Sequence, residues 1–99
     1  MEEPRLRVAI AEDSVLLREG RDRLIEDGEG TVGAAVGDGP ALVAAVVEHR
    51  PDVSVVDVRM PPTQRDEGLR AANEARRLVP RSPMLVLSQY VEAQYASEL

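Results

Sequence analysis

Pro51-Asp52-Val53-Ser54-Val55-Val56-Asp57-Val58-Arg59-Met60-Pro61 is the stretch that decides the fold. Pro51 breaks the preceding element, and Val53 to Asp57 follows as the clearest strand in the chain. Three of its five residues are Val. A strand of that kind suits the interior of a parallel sheet covered on both faces. It ends on an acid, and Met60-Pro61-Pro62-Thr63-Gln64-Arg65-Asp66-Glu67 then reads as a loop.

Working outward, the same strand-then-helix grammar repeats. On the N-terminal side, Leu6 to Ala11 is a short apolar run bounded by charge. Asp13 and Ser14 follow as helix N-cap candidates. Ser14 to about Asp27 reads as a helix with Leu17, Leu24 and Ile25 on its inner face, which Arg21 interrupts. Asp27-Gly28-Glu29-Gly30 ends it, and Thr31 to Val36 is a small-residue strand. Gly37-Asp38-Gly39-Pro40 turns into a helix over Ala41 to His49, with Pro tolerated in the first turn. On the C-terminal side, Gly68 to Val79 is an amphipathic helix with Leu69, Ala72, Ala75 and Val79 inward, stopped by Pro80. Met84 to Ser88 holds a fourth strand. Val91 to Leu99 begins a last helix, with Val91, Tyr95 and Leu99 at helical spacing. The order β-α-β-α-β-α-β-α implies right-handed crossovers and a parallel sheet with helices on both faces.

Composition narrows the function classes. The chain has 99 residues, enough for one domain. Its net charge is −6, which argues against nucleic-acid binding by this domain alone. All its cations apart from one His are Arg, and there is no Lys. It has no Cys, which excludes disulfides, thiol catalysis and Cys-based zinc sites. The acidic Met-Glu-Glu-Pro start does not read as a signal peptide. No apolar run is long enough to span a membrane, so a cytoplasmic location is expected.

In an open parallel sheet, ligands bind beyond the carboxyl ends of the strands. The first strand ends in Glu12-Asp13, the third in Asp57 and the fourth in Ser88. If these strands are neighbours, three carboxylates and a hydroxyl converge. Each residue also has a plainer role: Asp13 or Ser88 as a helix cap, Glu12 as a solvated acid, Asp57 as a turn residue. Together the acids would repel one another, and a bound cation best explains their company. Oxygen ligands select a hard ion, Mg²⁺ or Mn²⁺. Such an ion can neutralise a transferring phosphoryl group, with a neighbouring carboxylate as nucleophile.

At these residues the sequence resembles the receiver domain of bacterial two-component response regulators. The resemblance rests on Val8-Ala9-Ile10-Ala11-Glu12-Asp13, on Leu17-Arg18-Glu19-Gly20, on Pro51 through Pro61, and on Leu85-Val86-Leu87-Ser88. It implies a flavodoxin-like three-layer α/β/α fold with a parallel sheet in the order 2-1-3-4. It implies Asp57 as phosphoacceptor and Ser88 as switch hydroxyl. Glu12, Asp13, Asp57 and the backbone carbonyl of Arg59 would serve Mg²⁺. The donor would be a sensor histidine kinase, and the domain would be a switch rather than an enzyme. The Leu-Arg-Glu-Gly segment is similar to the subclass that carries a LuxR-type helix-turn-helix output domain, which would bring DNA as a partner.

The sequence departs from that family's pattern in three places. The loop from Met60 to Gly68 is longer than the usual Met-Pro-x-x-Asp-Gly form. The family's site lysine follows a fifth strand, and its aromatic switch residue lies on that strand. Residues 1–99 are therefore expected to be a receiver domain that stops within its fourth helix, lacking the fifth strand and helix. An open edge at Met84 to Leu87 would invite self-association through residues 84–99.

Two other functions stand beside the switch. A pseudo-receiver would act as an interaction or dimerisation module without phosphorylation, and the missing lysine speaks for it. A magnesium-dependent phosphatase with an aspartyl nucleophile would need a second acid two residues later, where Arg59 stands. Among the remaining signals, Gly28-Glu29-Gly30-Thr31-Val32-Gly33 matches a dinucleotide fingerprint in spelling. It follows a helix and enters a strand, the reverse of what that site requires. His49 sits at a helix C-terminus, where a cation suits the dipole. Arg76-Arg77 reads as a solvated helix face, and Tyr90 and Tyr95 as packing residues.

Overall fold

The computed structural model describes residues 5–88. The elements run β1 (Leu6–Ala11), α1 (Val15–Asp27), β2 (Gly30–Val36), α2 (Gly39–His49), β3 (Val53–Asp57), α3 (Glu67–Leu78) and β4 (Met84–Leu87). All strand pairs are parallel, and the sheet order is β2-β1-β3-β4, as expected. The reading of a last helix from Val91, and of Tyr90 and Tyr95 within it, falls outside the described residues.

Helix starts follow the chemistry of their caps. Ser14, not Asp13, caps α1: its side chain accepts from the Leu17 amide at 3.3 Å. That leaves the Asp13 carboxylate free for other work. Asp38 caps α2 by accepting from Ala41 at 2.8 Å, and Pro40 lies in the first turn. Arg50 ends α2 in a left-handed conformation, with φ 47°.

The core lies between the sheet and the α2–α3 pair. Ala11, Leu42, Val46, Val56, Met60, Ala71 and Ala75 form its buried cluster. The inward stripe of α3 is Gly68, Ala71, Ala72 and Ala75. Leu69 is instead 45 % exposed, against expectation. The reason is steric. A stripe of small residues lets α3 approach α2 closely, so that a methyl on Gly39 would stand 3.2 Å from the Ala71 Cβ. A leucine on that stripe would hold the helices apart.

Among the described residues, α1 is the helix on the opposite face, and it buries no residue fully. Against expectation, Leu24 is 75 % exposed and Leu17 42 %; Leu24 borders an open groove on this face beside Val8, Val53 and Val55. Arg21, read as an interruption of that face, turns toward the end of β1 and pairs with Glu12. At the far end of the sheet, the Arg5 guanidinium donates to the carbonyls of Glu26, Gly28 and Gly30, tying β1 to the end of α1. The glycine-rich stretch does the plain work of a helix-to-strand turn, with Gly28 capping α1 and Gly30 opening β2.

Candidate functional site

The carboxyl ends of β1, β3 and β4 lie side by side. Ala11 is in register with Val56, and Asp57 with Leu87. Glu12 and Asp13 therefore emerge next to Asp57, and Ser88 follows directly after Leu87, half-buried at the same end of the sheet. Glu12, Asp13 and Asp57 each bring one carboxylate oxygen within 4.8 Å of the others. The sequence placed these residues together, and the structure does too.

Each acid has its own environment. Glu12 and Asp57 are fully buried, whereas Asp13 is half-buried. Glu12 Oε1 accepts from the Ser14 amide at 3.2 Å, and Oε2 from Arg21 Nη1 at 2.8 Å. Burial, a hydrogen bond with the Asp57 carboxyl and the Asp57 charge push the Glu12 carboxyl up to about 7. The Ser14 amide and the Arg21 charge pull the other way and are outweighed. Asp57 Oδ1 accepts from the Arg59 amide at 3.3 Å. Asp13 Oδ2 accepts from Gln64 Nε2 at 3.0 Å.

Two arginines of α1 brace this end of the sheet. Arg21 has a side chain only 15 % exposed, so its pairing with Glu12 is largely shielded from water. Arg18 Nη1 donates to the Glu12 carbonyl at 3.0 Å and lies against Gly37. A methyl on Gly37 would stand 2.8 Å from that nitrogen, so the absence of a side chain there gives the guanidinium room.

The long loop after β3 is an ordered structure of its own. Met60 is fully buried and anchors it in the core. The Gln64 amide donates to the Met60 carbonyl at 2.9 Å, and Gln64 itself has φ 58°. Farther on, the Glu67 carboxylate takes three donors: the Thr63 amide at 2.6 Å, the Thr63 hydroxyl at 2.5 Å and the Arg65 amide at 3.0 Å. The Thr63 hydroxyl first, then these amides, holds Glu67 down at about 2. Asp66, at the N-cap of α3, makes no side-chain cap bond.

Sequence reasoning missed Arg21 and Gln64. For Arg21 a signal existed: a cation on the inward side of a helix that begins soon after two acids. For Gln64 there was none, because a loop of this length has no spacing rule that aims a side chain.

The acid cluster suits a hard divalent cation. Its donors are all carboxylate oxygens, and Glu12 is driven toward its neutral form by burial beside Asp57. Among the described residues, no helix is long and apolar enough to cross a membrane.

Comparison with known proteins agrees with this geometry. Residues 8–99 match the response regulator receiver domain. The chain is 32 % identical over 99 residues to the uncharacterized transcriptional regulatory protein YxjL of Bacillus subtilis, covering 99 % of this chain and 44 % of that protein. It is 40 % identical over 86 residues to the transcriptional regulatory protein PdtaR of Mycobacterium tuberculosis, covering 84 % of this chain and 40 % of that one. It therefore spans less than half the length of these relatives. Among solved structures, a LuxR-family two-component response regulator from Aurantimonas superposes with a TM-score of 0.77 at 26 % identity, covering 86 % of this chain and 59 % of that one. With three acids gathered at the carboxyl ends of a 2-1-3-4 parallel sheet and this match over almost its whole length, the chain belongs to the response regulator receiver domain family.

Proposed function

We propose that this domain is a phosphorylation-controlled switch of a transcriptional response regulator, with Asp57 as phosphoacceptor. The observation that carries the reading is the meeting of Glu12, Asp13 and Asp57 within 4.8 Å at the ligand-binding end of the sheet. A sensor histidine kinase would be the donor. One Asp57 carboxylate oxygen forms the new bond to phosphorus as the bond from phosphorus to the donor's imidazole nitrogen breaks. The freed imidazole then takes up a proton.

Glu12, Asp13, Asp57 and the carbonyl of Arg59 would hold Mg²⁺, with Mn²⁺ as a substitute, and the ion would offset charge on the phosphoryl oxygens. The chain's own groups do the rest. The Arg59 amide orients Asp57. Arg21 balances part of the negative charge at Glu12. Ser88, at the end of β4, donates its hydroxyl to a phosphoryl oxygen. A module of this kind is cytoplasmic and acts on partners rather than on a substrate. DNA would be reached through an output domain of the parent protein. Self-association through residues 84–99 belongs to the same proposal: β4 borders the described sheet with Leu85 half exposed.

A second reading is a pseudo-receiver, in which Arg21, paired with Glu12, already supplies counter-charge to the acid cluster. A pseudo-receiver would keep the fold and bind partners without phosphorylation. The two separate cleanly. The parent protein, incubated with Mg²⁺ and a small acyl- or amido-phosphate, gains the mass of one phosphoryl group, and Asp57→Asn gains none. Equal labelling of the Asn variant excludes Asp57 as acceptor, and no labelling of either favours the pseudo-receiver.

A further inference from the structure

Each of the three acids is oriented by a donor, and the donors come from different places. Glu12 is held by the Ser14 amide and Arg21. Asp57 is held by the Arg59 amide. Asp13 is held by the carboxamide of Gln64, 51 residues away on the loop between β3 and α3. Asp13 is the half-buried member, with water on one side. A carboxylate beside two other acids lowers its energy by swinging toward solvent, unless something restrains it.

We propose that Gln64 is a positioning residue of the cation site: its side-chain N–H holds one oxygen of Asp13 and leaves the other for the ion. This rests on the cation-dependent reading of the site given above.

The chemistry of the pair fits that task. A monodentate carboxylate ligand uses one oxygen, and its second oxygen needs a donor to fix the plane of the group. A neutral carboxamide supplies that donor without competing with the cation, as an arginine or lysine would. The loop is built to aim it. Gln64 is tied to the carbonyl of the buried Met60, and Glu67 fastens Thr63 and Arg65 on either side. Gln64 also occupies the left-handed region, at φ 58°. Gly or Asn would hold that conformation at less cost. A residue with a long side chain stands there instead, and its far end meets Asp13.

The experiment uses Mn²⁺ as probe. Its binding is followed by the paramagnetic resonance of the free ion, alongside thermal melting without cation. Gln64→Asn keeps an amide and eases the backbone but falls short of Asp13. It should bind Mn²⁺ about 10-fold more weakly, while its cation-free melt stays within about two degrees of the parent. Gln64→Lys keeps a donor and adds a charge on Asp13. It should raise the cation-free melting temperature and nearly abolish Mn²⁺ binding. Weak binding in both variants with a lowered cation-free melt in Gln64→Lys would mean loop collapse, and would overturn the proposal. Unchanged Mn²⁺ affinity in both variants overturns it too, provided Asp13→Asn loses the ion. A parent chain that binds no Mn²⁺ at all sinks the cation-site reading itself.

Discussion

Gly68 lies so close to the backbone of Asp57 that a methyl group on it would stand 1.7 Å from the Asp57 carbonyl oxygen. The Gly68 amide donates to the next carbonyl, that of Val58, at 2.9 Å. The first turn of α3 is thus seated directly on the carboxyl end of β3, and the obstacle to a side chain is backbone. Neither partner can turn aside as a flexible side chain would.

Gly68→Ala should therefore move α3 away from β3 or displace Asp57. The expected loss is about 3 kcal/mol, at the upper end of overpacking costs. Urea denaturation measures it. The variant should also lose the melting shift given by Mg²⁺. A loss below about 0.5 kcal/mol would show that the helix start yields easily.

Arg21→Met tests the ion pair inside the site. Removing one partner of a buried pair usually costs about 3–5 kcal/mol, because a bare charge is left behind. Here Glu12 already sits at about 7 and can take a proton instead. The cost at neutral pH should be smaller, about 1–2 kcal/mol, and should grow as pH rises and that escape closes. Mg²⁺ should restore more stability to this variant than to the parent, by differential binding to the folded state.

The pH dependence of cation-free stability has two windows of opposite sign. Glu12 rises from its ordinary 4.5 to about 7 on folding. The folded state therefore binds more protons between those values. The contribution of Glu12 is fully present below about 4.5 and is lost as pH climbs through about 7. Glu67 falls from 4.5 to about 2, so its contribution is present above about 4.5 and lost as pH drops through about 2. Denaturation from pH 3 to 9 should show stability falling from mildly acidic to neutral pH. Glu12→Gln should flatten that fall, and so should saturating Mg²⁺. Glu67→Gln should soften only the acid limb.

Asp13→Ala should erase most of the rise in melting temperature that Mg²⁺ produces in the parent. Without the ion it should be no less stable, since one of three crowded negative charges is gone. Differential scanning fluorimetry with and without Mg²⁺ decides the point. A full shift surviving in the Ala variant would place the ion elsewhere.

A last pair of substitutions checks the packing. Leu42 is fully buried under the α2–α3 pair, and Leu42→Ala should cost about 2–5 kcal/mol. Leu24 is 75 % exposed, and Leu24→Ser should cost less than about 0.5 kcal/mol. Equal losses would return Leu24 to the buried position assigned by helical periodicity.

That contrast shows where the sequence was readable. Element order came from apolar runs and breakers such as Pro51 and Gly28, whose effects are local, whereas strand order came from the resemblance to receiver domains. The acid cluster was legible because strand ends in a parallel sheet share one edge, so Glu12, Asp13 and Asp57 could be placed together without coordinates. The helix faces were harder. Periodicity weighs Leu above Ala and so turned Leu69 and Leu24 inward. The real contact of α3 is a stripe of Gly and Ala that permits a close approach to α2. Gln64 could not be found at all, since its reach to Asp13 depends on a tertiary loop path.

The guanidinium of Arg21 has a consequence for how the protein comes into being in a cell. A pocket of three acids with no counter-charge would have to take up protons or a metal while the chain was still collapsing. Here a cation covalently part of the chain reaches Glu12 as soon as α1 docks on β1. The nascent domain carries a provisional counter-ion of its own. Maturation would then be uncoupled from the supply of divalent metal, and an ion bound there would be a late, exchangeable visitor to a pocket already built.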